Sequence, residues 1–152
     1  MLKVNRKVEY ALIALKHMQQ KPKGQLTTVR EICEHYGTPF DPVAHVMRIL
    51  NARQVVQSEQ GAHGGYRLLE DTRRLSFASL IEMIEGKLAF VECARQERAN
   101  CGIQDTCNIA SPMNQLNLRM IEFLHSVMVG EIIDGRGSMM PELLSAGVQP
   151  NA

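Results

Sequence analysis

No apolar run in this chain is longer than six residues. Tyr10 to Leu15 is the longest, far short of the ~20 that a membrane helix needs. The opening stretch MLKVNRKVEYALIAL carries charges throughout and lacks a small-residue cleavage site, so it does not read as a signal peptide. A cytoplasmic protein with no membrane partner is expected. No catalytic constellation is visible, which points away from an enzyme. Cysteines number four, and in the cytoplasm clustered cysteines bind metal more often than they form disulfides. At 152 residues, 45% hydrophobic and 22% charged, the composition is that of a soluble globular protein. The length suits one domain with a core, or a small domain plus an oligomerisation arm.

A large excess of either charge is also lacking, since the net charge is +1. That figure hides an asymmetry. Residues 1–74 carry 12 Lys/Arg against 7 Asp/Glu, and residues 75–152 carry 5 against 9. A basic front half suits a polyanion such as DNA, because each neutralised phosphate releases condensed counterions.

Val4, Val8, Leu12, Leu15 and Met18 recur at helical spacing and predict a first helix over residues 5–20, ended by Pro22 and Gly24. Thr28 with Glu31 three residues later is a capping-box pattern, opening a short second helix that Gly37 stops. Asp41 as N-cap and Pro42 at the first helical position open a third helix reaching Arg53. Two short helices joined by a tight glycine turn form a helix-turn-helix layout. The period then changes from 3.6 to 2. VVQSE and YRLLE read as strands around the loop GAHGG, where Gly61, Gly64 and Gly65 allow the positive φ angles of a hairpin. No Walker lysine–serine pair follows that loop, so it does not read as a phosphate cradle.

The expected fold class is mainly α with a small β-hairpin wing, a winged helix-turn-helix domain plus a long C-terminal dimerisation helix. A further helix spans residues 76–86, followed by a stretch of little periodicity. From Ser111 to Ile133 a single helix is expected, with Met113, Leu116, Met120, Leu124, Val127 and Met128 as an apolar stripe. Roughly 22 residues of helix span about 33 Å, more than so small a domain covers, and a second copy would bury the excess. The domains are residues 1–86 for DNA binding, 87–110 for a cysteine-rich cluster-binding loop, 111–135 for dimerisation and 136–152 for a loosely ordered tail.

Cys93, Cys101 and Cys107 lie within 15 residues, spaced C-x7-C-x5-C. Thiolates are soft ligands that favour iron–sulfur clusters, zinc or copper(I). Three cysteines leave one coordination site to another ligand. Zinc and a thiol–disulfide switch stay open on spacing alone. Cys33, among apolar neighbours in the second helix, reads as a small buried residue.

Three features in this order resemble the IscR/NsrR/RirA family of bacterial winged-helix iron–sulfur regulators, over about residues 1–135. They are the opening VEYALIAL, the wing SEQGAHGGYRL and the cysteine loop before a long helix. The resemblance implies a homodimer on an inverted repeat of double-stranded DNA. An iron–sulfur cluster would set its affinity, with iron supply, nitric oxide or oxidative stress as the input. A repressor is the expected mode. IscR-type members with a 2Fe–2S cluster place a histidine where this chain has Ala110, so 4Fe–4S is favoured, as in RirA-type and NsrR-type members. Glu9 falls where NsrR-type relatives place an aspartate that reaches the partner subunit's cluster. A surface pair with Arg6 is the alternative role for Glu9. Gln60 stands where the family's wing usually has arginine, and Pro39, Asp41 and Ala44 differ from relatives' base-contacting residues.

For DNA, the third helix would enter the major groove with Thr38, Phe40, Asp41 and His45 nearest the bases. Arg48, Arg67, Arg73, Arg74, Lys3 and Lys7 are candidate phosphate contacts, with Thr28 at the second helix's start. Gln60 and His63 sit in the wing, His63 at its tip and aimed at the minor groove. Two other functions compete. One is a zinc- or thiol-switch DNA-binding regulator. The other is a small iron–sulfur electron or cluster carrier, which would leave the wing and third helix unused.

Overall fold

A computed structural model describes residues 4–91, 94, 102–103 and 106–135. It contains helices α1 (Arg6–Gln20), α2 (Val29–Tyr36) and α3 (Phe40–Ala52), then strands β1 (Val56–Glu59) and β2 (Gly65–Leu68). Helices α4 (Phe77–Glu85), α5 (Ala110–Ser126) and α6 (Val129–Asp134) follow. The architecture is the expected one, mainly helical with an antiparallel two-stranded wing in the register Val56↔Leu68 to Glu59↔Gly65. The expected tail from residue 136 lies outside the described residues.

The local signals act as read. Asn5 caps α1 by accepting the Lys7 amide at 3.0 Å. Val8, Ala11, Leu15 and Met18, three or four apart, are buried against α3. Thr28 and Glu31 form the capping box of α2 in both directions, at 3.1 and 3.4 Å. Gly37 ends α2 in the left-handed region at φ 64°.

Three expectations need correction. First, α3 starts at Phe40, with Pro39 at the N-cap and no side-chain cap bond, so Asp41 lies inside the first turn. Pro42 is tolerated there because the first four amides of a helix have no partner within it. Second, Gly64 and Gly65 do not have positive φ, whereas Gly61 does, at 126°. They are needed for space. A Cβ on Gly64 would lie 2.5 Å from the Glu59 carbonyl oxygen, and one on Gly65 2.9 Å from that of Thr27. The second approach arises because Thr27 and Tyr66 exchange two backbone hydrogen bonds of 2.8 Å, joining the wing to the entry of α2.

Third, the helix expected over residues 111–133 is two helices. Val127 is extended (φ −86°, ψ 120°), and α6 begins at Val129. The Phe77 amide donates to the Val127 carbonyl at 2.8 Å, and the Val129 amide to the Leu75 carbonyl at 2.8 Å. This two-residue pairing with the entry of α4 replaces the helical bonds. It delivers Val127, Val129 and Ile133 into burial, the last two in the same core as α1 and α3. Gly130 lies so close to Arg73 that a Cβ would meet its side chain at 2.7 Å.

Candidate nucleic-acid interface and cysteine segment

Along α3, Val43, Val46, Met47 and Leu50 are fully buried at helical spacing. The opposite row is Phe40 (53% exposed), Asp41, His45 and Arg48, all exposed, with Ala44 half-buried at its edge. Asp41, released from capping, presents its carboxylate outward in the first turn, where the helix dipole favours a negative charge. Thr38 departs from the expected row. Its hydroxyl oxygen is buried and has no hydrogen-bond partner among the described residues.

The wing stands beside this face. The Ser58 amide donates to Asn51 Oδ1 at 2.8 Å, tying β1 to the end of α3. Gln60 and His63 are exposed in the connecting loop. Arg67 is braced within the hairpin by Gln57 Oε1 at 2.6 Å and Glu59 Oε1 at 2.9 Å, and remains 43% exposed. Thr28 is exposed at the N-terminus of α2, and Lys7 and Arg74 are exposed as well. Arg73 leans toward α6, with Asp134 at 3.6 Å. Lys3 lies outside the described residues.

Sequence reasoning missed the polar cluster that braces α2 on α1. Glu31 accepts from Lys21 Nζ at 2.7 and 3.0 Å and lies 2.8 Å from His17 Nε2. His17 Nδ1 in turn meets the Tyr36 hydroxyl at 3.1 Å. Partial burial pushes the Glu31 pKa up, but hydrogen bonds from Lys21 and His17, the Lys21 charge and the Thr28 amide outweigh it. The carboxyl is held below its ordinary value. Its capping signature was legible, but its long-range partners carry no local mark.

Of the three clustered cysteines, Cys107 is half-buried and outside any disulfide, whereas Cys93 and Cys101 lie outside the described residues. Cys33 is half-buried against the core, as expected of a packing residue. Glu9 is paired with Arg6 at 2.7 Å on the exposed side of α1. Asn117 of α5 is buried, and its Oδ1 accepts the Phe90 amide at 2.7 Å. The signal for it was a polar residue four positions from both Met113 and Ile121, inside an apolar face.

α5 packs on α4. Leu124, expected in the dimer stripe, packs instead against the molecule's own core, and Val127 is buried. The side left exposed among the described residues carries Ile109, Leu116 and Phe123, at seven-residue intervals and 56%, 48% and 53% exposed. Met113 and Met120 lie between them, completing an alternating spacing of four and three.

A helix-turn-helix whose second helix turns a polar face outward, flanked by a hairpin wing, defines a winged-helix transcriptional regulator. Residues 4–135 match the family model of Rrf2, described as an iron-dependent transcriptional regulator. The chain belongs to the Rrf2 family, whose members are DNA-binding transcriptional regulators rather than enzymes. It is 32% identical over 113 residues to an HTH-type transcriptional regulator named rrf2-like from Rhodobacter capsulatus, covering 70% of this chain and 75% of that one. It is 20% identical over 125 residues to the HTH-type transcriptional regulator NsrR of Shouchella clausii, covering 82% and 84%. Among solved structures, it is similar to CymR, the global cysteine regulator of B. subtilis, with a TM-score of 0.69 and 20% identity. That match covers 89% of this chain and 98% of CymR. No helix among the described residues is long and apolar enough to cross a membrane.

Proposed function

We propose that the chain is a homodimeric repressor whose affinity for an inverted-repeat operator is set by an iron–sulfur cluster on Cys93, Cys101 and Cys107. The observation that carries the cluster is the donor set itself. Three thiols fall within 15 residues, and the last, Cys107, is half-buried three residues ahead of α5. Soft thiolates fit such a group, and Ala110 offers no donor atom where a 2Fe–2S site of the IscR type would need its histidine. That favours 4Fe–4S. Glu9 of the partner subunit is the proposed fourth ligand, exchanging its surface pair with Arg6 for the cluster. When bound, the group supplies iron that responds to iron supply, nitric oxide or oxidants.

The chain's own residues do the rest. Phe40, Asp41, His45 and Arg48 meet the major groove, Gln60, His63 and Arg67 approach from the wing, and Thr28 and Lys7 meet backbone phosphates. The row Ile109, Met113, Leu116, Met120 and Phe123 packs on its copy in the second subunit. α5 starts three residues after Cys107 and packs on α4, which in turn packs on α3. A change in the cysteine segment would therefore reach the reading helix through α5 and the α4 on which it packs.

Anaerobic purification tests this. The expected protein is brown, contains iron and sulfide, and differs in operator affinity before and after chelator treatment. A colourless, zinc-containing dimer that binds DNA would overturn the cluster and establish the zinc regulator. Cluster content that survives unchanged in Cys101→Ala would remove that thiol from the ligand set.

A further inference from the structure

We propose that Asn117 is a positioning residue for the cysteine segment, holding the segment's entry on the same helix that begins at its exit. The inference rests on reading that segment as the cluster-binding loop. Asn117 is 5% exposed, and its Oδ1 accepts the Phe90 amide across 27 residues of sequence at 2.7 Å. A buried side-chain amide is costly unless bonded, and leucine would fill similar volume without that penalty. What the amide secures is a particular backbone position. Phe90 lies five residues beyond the end of α4 and three before Cys93. At the other end, Cys107 lies three residues before Ala110, where α5 starts. With a rise of ~1.5 Å per residue, Asn117 stands about 10 Å along the axis from Ala110. Both feet of the segment thus stand on one helix at a fixed separation.

Bringing three thiolates to one centre removes conformational freedom from the loop that carries them. Fixing its ends beforehand reduces how much is left to lose, because closure entropy depends on how far the ends are free to wander. The bond acts most directly on Cys93, the proposed ligand nearest to Phe90 in sequence. Cluster occupancy must in turn strengthen the bond, because coupling between two equilibria is reciprocal.

Asn117→Leu keeps the volume and removes the acceptor, whereas Asn117→Asp keeps an oxygen at the same place. Parent and variants are reconstituted anaerobically and challenged with a chelator while the visible absorption is followed. The thermal midpoints of the cluster-free proteins are recorded alongside. Asn117→Leu is expected to lose its absorption roughly five- to tenfold faster than the parent, with Asn117→Asp restoring most of the lifetime. Equal lifetimes in the parent and Asn117→Leu overturn the proposal, whatever the cluster-free midpoints do. A parent that takes up no iron and sulfide overturns the cluster reading and this inference with it. Amide exchange on the unaltered protein is an independent check. Phe90 exchange should slow on cluster loading, and identical rates in loaded and cluster-free protein overturn the coupling even if a variant fails to fold.

Discussion

α3 and α5 are both amphipathic, and each buries one side against the same molecule. They differ in what the free side carries. On α3 it is Phe40, Asp41, His45 and Arg48, a polar row with one aromatic ring. On α5 it is Ile109, Leu116 and Phe123, all about half exposed, with methionines between them. A face meant for a hydrated polyanion keeps groups that hydrogen-bond and neutralise charge. A face of the kind proposed to meet a second copy keeps groups that gain by leaving water. The difference lies entirely on the outward side, so each helix can be altered there without disturbing its own core.

The largest effect is expected from Leu116→Glu combined with Phe123→Glu. Two carboxylates on the apolar row should give monomers in sedimentation, because a buried unpaired charge is strongly disfavoured. Loss of the second half-site contact should weaken operator binding by about 100-fold or more. Leu118→Glu, on the opposite side of α5, should leave the dimer intact. A double variant that still sediments as a dimer breaks the contrast between the two helices.

Next in size is Gly65→Ala, which forces a methyl group to within 2.9 Å of the Thr27 carbonyl oxygen. It should cost about 1–3 kcal/mol in denaturant unfolding, typical of overpacking. An unchanged midpoint would mean that the wing is not held to α2 as described.

Arg48→Ala sharpens the α3 side. Dimer and thermal midpoint should stay unchanged, while the slope of log affinity against log salt falls by about one. An unaltered slope would remove Arg48 from the phosphate contacts.

The smallest effect is electrostatic. Glu31 is held below its ordinary pKa in the folded chain, so its contribution is complete above the unfolded value of about 4.5. It is lost as pH falls through the folded value. Because the side chain is 37% exposed, the loss should be only a fraction of a kcal/mol. Glu31→Gln should flatten the acid limb of the stability curve, and a limb as steep as the parent's would assign the effect to other carboxylates.

Much of the winged helix was legible because its signals are local. The capping box at Thr28, Gly37 at the end of α2 and the spacing of Val8, Leu15 and Met18 each act within two turns of chain. What escaped was fixed by distant partners. The break after Ser126 depends on Leu75 and Phe77, about fifty positions away, and a continuous apolar stripe hid it. Gly64 and Gly65 were recognised as glycines the wing needs, but for φ rather than for the closeness of Glu59 and Thr27. Asp41 looked like a cap because Pro42 followed it, yet a proline is accepted anywhere in a first turn. In the site, the exposed α3 row was readable from periodicity except for Thr38, whose burial depends on the tertiary fold. Asn117 stood out as a polar residue inside an apolar face, but its hold on Phe90, 27 positions away, lay beyond any local pattern.

The docking of α6 bears on how the chain folds as it is made. Val129 and Ile133 belong to the core that begins with Val8 and Leu15. A ribosome that has delivered everything through Ser126 has therefore released a reading head whose interior still lacks two side chains. Domains generally fold as units during synthesis, N-terminal first. Here the core of the first unit is complete only once residue 133 has emerged, by which time the cysteines and the whole of α5 are also free of the exit tunnel. The nascent chain thus completes its DNA-reading half only after its cysteines and the apolar row of α5 have emerged.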